Sequence, residues 1–79
     1  PPAGVPEAAE HMGRRDFAGC VRETHRHPRS APLLGARMNC AYQGGDDAAL
    51  RATCAELQQH YPQHSYTQTC RTLMNVRGM

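Results

Sequence analysis

Four cysteines, five histidines and nine arginines carry most of the chemistry available to this 79-residue chain. The cysteines stand at 20, 40, 54 and 70. A zinc site built on one turn needs two ligands at C-x₂₋₄-C, and a dithiol redox pair needs C-x-x-C; neither spacing occurs here. An even number of widely spaced cysteines in a short chain instead fits a disulfide framework formed in an oxidising compartment. The alternative is four reduced, buried thiols in a cytosolic protein.

Histidines and arginines give two further patterns. His25 and His27 flank one expected turn, and His60 and His64 flank another expected at the same end of the molecule. Four imidazoles converging there could bind a transition metal or titrate together near neutral pH. Their spacing fits no zinc pattern, and no carboxylate is expected among them as an outer hydrogen-bond partner, so solvated loop histidines are the simpler expectation. Arg22, Arg26 and Arg29 gather at that same end, while Glu7, Glu10, Asp46 and Asp47 gather at the other. Such a basic tip could dock on an acidic protein face, lipid headgroups or a nucleic-acid backbone. Nucleic acid is disfavoured, because the net charge is only +2 and no aromatics interleave with the arginines. Catalysis has no convergent residues. Ser30 and Ser65 read as helix caps, there is no G-x-S-x-G elbow, and the acids stand at helix starts. No enzyme activity and no cofactor are expected.

The elements that must position these residues are all helical, since no stretch alternates with period two. Leu50, Cys54, Leu57 and Tyr61 recur at helical spacing before Pro62, and Tyr66, Cys70, Leu73 and Met74 recur after it. Proline blocks the helix at the preceding turn, so the two faces fold back on each other. Each cysteine lies eight residues from Pro62, or roughly 12 Å at ~1.5 Å rise per residue, which brings the two to one level. A similar hairpin is expected upstream, with Cys20 and Cys40 on either side of Pro28.

Residues 1–5 read as a flexible lead-in, and residues 6–79 as a single domain. A first helix is expected from Pro6 to just before Pro28, with an inward stripe of Val5, Ala9, Met12, Gly13, Phe17, Cys20, Val21 and Thr24. A second carries Leu33, Leu34, Ala36, Met38, Cys40 and Ala41 after a cap at Ser30 or Ala31, and ends at Gly44-Gly45. Asp46 and Asp47 cap a third. Ser65 and Gln68 form a capping box for the fourth, which Gly78 ends. The expected fold class is therefore all-α, a small disulfide-stapled four-helix domain of two helical hairpins.

Bridging needs Cα atoms ~4.4–6.8 Å apart, which excludes diagonal helices and with them Cys20–Cys54 with Cys40–Cys70. Local closure costs least, so Cys20–Cys40 and Cys54–Cys70 lead. The staples matter because the core is lean: there is no Trp and only one Phe, and a chain this short buries only about 60–65% of its unfolded surface. The spacing also differs from that of twin C-x₉-C hairpin proteins, and saposin-like folds use more cysteines. No family is assigned on sequence.

No apolar run approaches the ~20 residues that span a bilayer, and the opening residues lack the basic and apolar regions of a signal peptide. Export, to the periplasm or beyond, is expected with the leader outside this sequence. The expected role is a non-catalytic module that binds another protein, as an inhibitor, immunity factor or accessory subunit of an envelope or secretion system. Alternatives are a periplasmic metal-binding protein using His25, His27, His60 and His64, or a binder of anionic surfaces through Arg22, Arg26 and Arg29. Pairing of two copies to complete the core is a further expectation.

Overall fold

The computed structural model describes residues 2–79 and is all-helical. Its helices are α1 (Val5–Gly13), α2 (Phe17–Thr24), α3 (Ala31–Gln43), α4 (Asp47–His60) and α5 (Ser65–Val76). Consecutive helices pack on each other, and α3 also touches α1 and α5, so α3 is the hub. Both disulfides form, Cys20–Cys40 across the α2–α3 hairpin and Cys54–Cys70 across α4–α5, with Cα separations of 6.2 and 5.6 Å. The connectivity is the one that local closure favoured.

Five helices stand where four were expected. The first expected helix breaks at Arg14–Asp16, where Arg15 adopts a positive φ of 59°. Asp16 then caps α2, its carboxylate accepting from the Gly19 amide at 2.9 Å. A continuous helix from residue 6 to 27 would run ~33 Å, longer than the 27 Å largest extent of the fold. Its outer turns would have nothing to pack on. Breaking the chain folds α1 back onto α2 and α3, and it shifts the buried position from the expected Ala9 to Ala8. Gly13, also expected inside, is exposed.

The remaining boundaries follow their caps. Ser30 caps α3, accepting from the Leu33 amide at 3.2 Å, with Pro32 in the first turn. Asp46 caps α4 through the Ala49 amide at 3.0 Å, and Gly45 supplies the positive φ (71°) of the preceding turn. The Ser65–Gln68 capping box does not form. His64 is the N-cap of α5, its Nδ1 accepting from the Tyr66 amide at 3.1 Å while its ring stacks on Tyr66. Ser65 lies one position inside the helix. At the other terminus α1 begins at Val5, inside the segment expected as a lead-in, and Gly4 is buried beside His27 and Leu33.

Two apolar clusters hold most of the core, with Leu33 and Ala31 buried outside both. The larger joins α3, α4 and α5 through Leu34, Met38, Ala41, Leu50 and Leu57 around Cys54 and Cys70. The smaller is little more than Ala8 and the Cys20–Cys40 bridge, with Met12, Val21 and Ala36 at its edge. With no large side chain fully buried in the smaller cluster, the bridge itself is most of what holds α2 to α3 there. Buried polar side chains are matched: Thr24, Thr53 and Thr67 each donate to a backbone carbonyl, and no buried side-chain nitrogen or oxygen among the described residues lacks a partner.

Candidate functional site

Arg37 organises the end of the molecule where the first and third expected turns meet. It is 6% exposed on α3. Its Nε donates to Thr24 Oγ1 at 2.8 Å, its Nη2 to the Thr24 carbonyl at 3.3 Å, and its Nη1 to Glu56 Oε1 at 3.2 Å. Arg29 takes the other carboxylate oxygen, Nε to Oε2 at 2.7 Å. Glu56 is thus held between two guanidiniums, and the Arg29 hydrogen bond, followed by the charges of Arg37 and Arg29, keeps its carboxyl below the usual glutamate range. A buried arginine with fixed partners on α2 and α4 ties three helices together.

This arrangement takes the basic tip apart. Arg29 is consumed by Glu56, whereas Arg22 on α2 and Arg26 in the turn after it stay together beside a cleft that His11, Gly19 and Glu23 complete. Glu23 puts a negative charge into that cleft. It lies 2.9 Å from His27 Nε2, 3.6 Å from His11 Nε2 and 3.9 Å from Arg26. The His27 hydrogen bond is the main cause of a lowered Glu23 carboxyl pKa. His11 in turn meets Asp16 at 2.9 Å, and that bond, with the Gly19 amide, lowers the Asp16 pKa. A carboxylate does therefore stand among the histidines, contrary to the sequence expectation, and it serves to clasp α1 and α2.

The four histidines expected as a set are separated in role. His27 pairs with Glu23, and His64 spends its Nδ1 as a helix cap. His25 lies near Arg37 and Glu56, with burial first and the Arg37 charge second pushing its pKa below the ordinary histidine value. His60 is exposed on the last turn of α4, within reach of the Glu56 charge. Among the described residues, no three His, Cys, Asp or Glu side chains are grouped so as to hold a metal ion.

A different surface emerges on the α4–α5 hairpin. Arg51, Cys54, Ala55 and Gln58 on α4, and Thr67, Cys70, Arg71 and Met74 on α5, each recur at i, i+3, i+4 and i+7 and so line facing stripes. Between them runs an open groove of about 260 Å³. The Cys54–Cys70 bridge lies in it, Cys54 7% exposed and Cys70 2%. Arg71 Nη2 donates to Gln58 Oε1 at 3.1 Å across the two helices. Arg51 and Arg71, like Arg14, Arg15 and Arg22, have no carboxylate at ion-pair distance among the described residues, whereas Arg26, Arg29, Arg37 and Arg77 each do. The helical spacing of this stripe is visible in the sequence, but it reads there as part of the inward face because Cys54 and Cys70 belong to both.

No protein-family model matches the chain, and no curated protein or solved structure shows significant similarity to it.

Proposed function

We propose that this chain is a small exported, non-enzymatic module that binds another protein, an inhibitor, immunity factor or envelope and secretion accessory. One observation carries the proposal. Most charged side chains at the basic end are spent on one another, in the Arg29–Glu56–Arg37 and His11–Glu23–His27 groups with Arg26 beside Glu23. Arg22 alone of the three expected arginines lacks a carboxylate at ion-pair distance among the described residues. The apolar α4–α5 groove, by contrast, stays open beside two arginines without acidic partners. Charge satisfied internally gives rigidity; an open apolar surface with unsatisfied charge at its edge is what a partner recognises. Two disulfides, and no helix long and apolar enough to cross a membrane among the described residues, are compatible with an extracellular or periplasmic protein.

The test is to recover the tagged chain from the extracytoplasmic fraction of its native cell, with thiols blocked at lysis. A protein partner that stays in stoichiometric complex through size exclusion, with no free thiols on the chain, supports the proposal. A chain that runs alone with four free thiols overturns it.

A further inference from the structure

Resting on the binding-module reading, we infer that the α4–α5 groove takes a short acidic segment of the protein partner, one large apolar side chain seated over Cys54–Cys70 and carboxylates meeting Arg51 and Arg71. Size sets the first limit. At about 260 Å³ and open to solvent, the groove falls below the ~300–1,000 Å³ typical of small-molecule pockets. It suits one or two side chains presented by a polypeptide, the way an anchor residue fills a shallow cleft.

Charge sets the second. Two guanidiniums border the groove and no carboxylate does. Arg71 is steadied by Gln58, a neutral acceptor that leaves its charge uncompensated. Arginine's planar fork matches a carboxylate, and pairing it at the rim of an apolar contact favours acidic partners and rejects basic ones. A nucleic-acid strand would bring phosphates to the same arginines, but the groove holds no aromatic side chain on which a base could stack. The disulfide fixes the two walls with Cα atoms 5.6 Å apart, so the groove is formed before the partner arrives and little ordering cost falls on binding.

The test uses the oxidised full chain, ¹⁵N-labelled, titrated with two synthetic peptides of the same length. Both carry Leu and Phe at helical spacing; one surrounds them with Glu, the other with Lys. The expected result is saturable shift changes at Arg51, Ala55, Arg71 and Met74, with the Glu peptide bound at least ~10-fold more tightly, about 1.4 kcal/mol. The R51E/R71E variant changes only exposed side chains, and it should reverse the preference. Equal binding of both peptides, shifts confined to the Arg22–Arg26 face, or no saturation by about 1 mM would overturn the inference. So would phosphatidylglycerol vesicles that displace the Glu peptide from the same residues. A native partner held equally by wild type and R51E/R71E defeats the groove assignment and leaves the binding-module reading standing. No partner held by either defeats that reading itself.

Discussion

Removing the disulfides should cost this fold half or more of its stability. The bridges close loops with sequence separations of 20 and 16. In the chain-entropy model each is then worth about 3 kcal/mol at 25 °C. A 79-residue domain has about 4–12 kcal/mol in total, at ~0.05–0.15 kcal/mol per residue. Losing one bridge therefore removes a quarter to three quarters of the margin, and losing both removes about half of it in the most stable case and all of it for a total below about 6 kcal/mol. With an unfolding entropy of ~2.1 cal/mol/K per residue, 3 kcal/mol corresponds to roughly 18 °C in Tm. Thermal unfolding followed by far-UV circular dichroism, for wild type, C20A/C40A, C54A/C70A and the fully reduced chain, measures this directly. Each double variant should melt about 12–24 °C lower, and the reduced chain should show little cooperative unfolding at 37 °C. The smaller cluster holds little besides Ala8 and its bridge, so C20A/C40A should also loosen α1 and α2 specifically, seen as faster amide exchange there. A reduced chain that melts within about 5 °C of the oxidised one would refute the reasoning, because ~1 kcal/mol is then all the bridges contribute.

Mild reductant should open Cys54–Cys70 before Cys20–Cys40, because Cys54 is 7% exposed while Cys20 and Cys40 are both fully buried; alkylation and peptide mapping at short times reads the order. Glu56→Gln should destabilise the fold by about 1–3 kcal/mol in urea unfolding, since it leaves the buried Arg37 guanidinium without its counter-charge; a neutral result would mean that Thr24 alone satisfies the arginine. Asp16→Ala should cost about 1 kcal/mol by removing the cap that starts α2, whereas Ser65→Ala should change stability by no more than a few tenths of a kcal/mol because His64 is the cap of α5. Stability should fall as the solution is acidified. The His25 pKa is depressed below 6.5, so folding loses ground as pH drops below that value and the unfolded state takes the proton more readily. Asp16, Glu23 and Glu56 are depressed from 3.8, 4.5 and 4.5, so their contributions are present above those values and lost as pH falls through the lower folded ones. Urea midpoints at pH 7, 5.5 and 4 test the sign, and His25→Asn should flatten the step between the first two.

Local chemistry decided much of this protein in advance. Pro62, Gly45, Ser30 and Asp46 each act on their own few residues, so the turns and helix starts they impose need no knowledge of the rest of the chain. The bridges were equally accessible, because helical rise and the position of the turn place Cys54 opposite Cys70 by arithmetic alone. Asp16 carried the same kind of cap signal, but the apolar spacing from Met12 to Cys20 ran through it and masked the break between α1 and α2. What settles that break is the size of the fold: a helix longer than its neighbours has no surface left to cover, and only the assembled α3–α5 body sets that length.

The sequence by itself determined that the chain is helical, where most helices start and stop, and which sulfurs join, because propensity, capping and loop closure all act over short separations. Tertiary structure alone decided which charges are spent and which are free. Arg29 and Arg37 meet Glu56 from 27 and 19 positions away, and Arg77 reaches across 30 positions to Asp47 while its guanidinium lies over Tyr42. An arginine looks the same in a sequence whether or not a carboxylate waits for it, so the uncompensated pair beside the α4–α5 groove became visible only once the helices had been brought together.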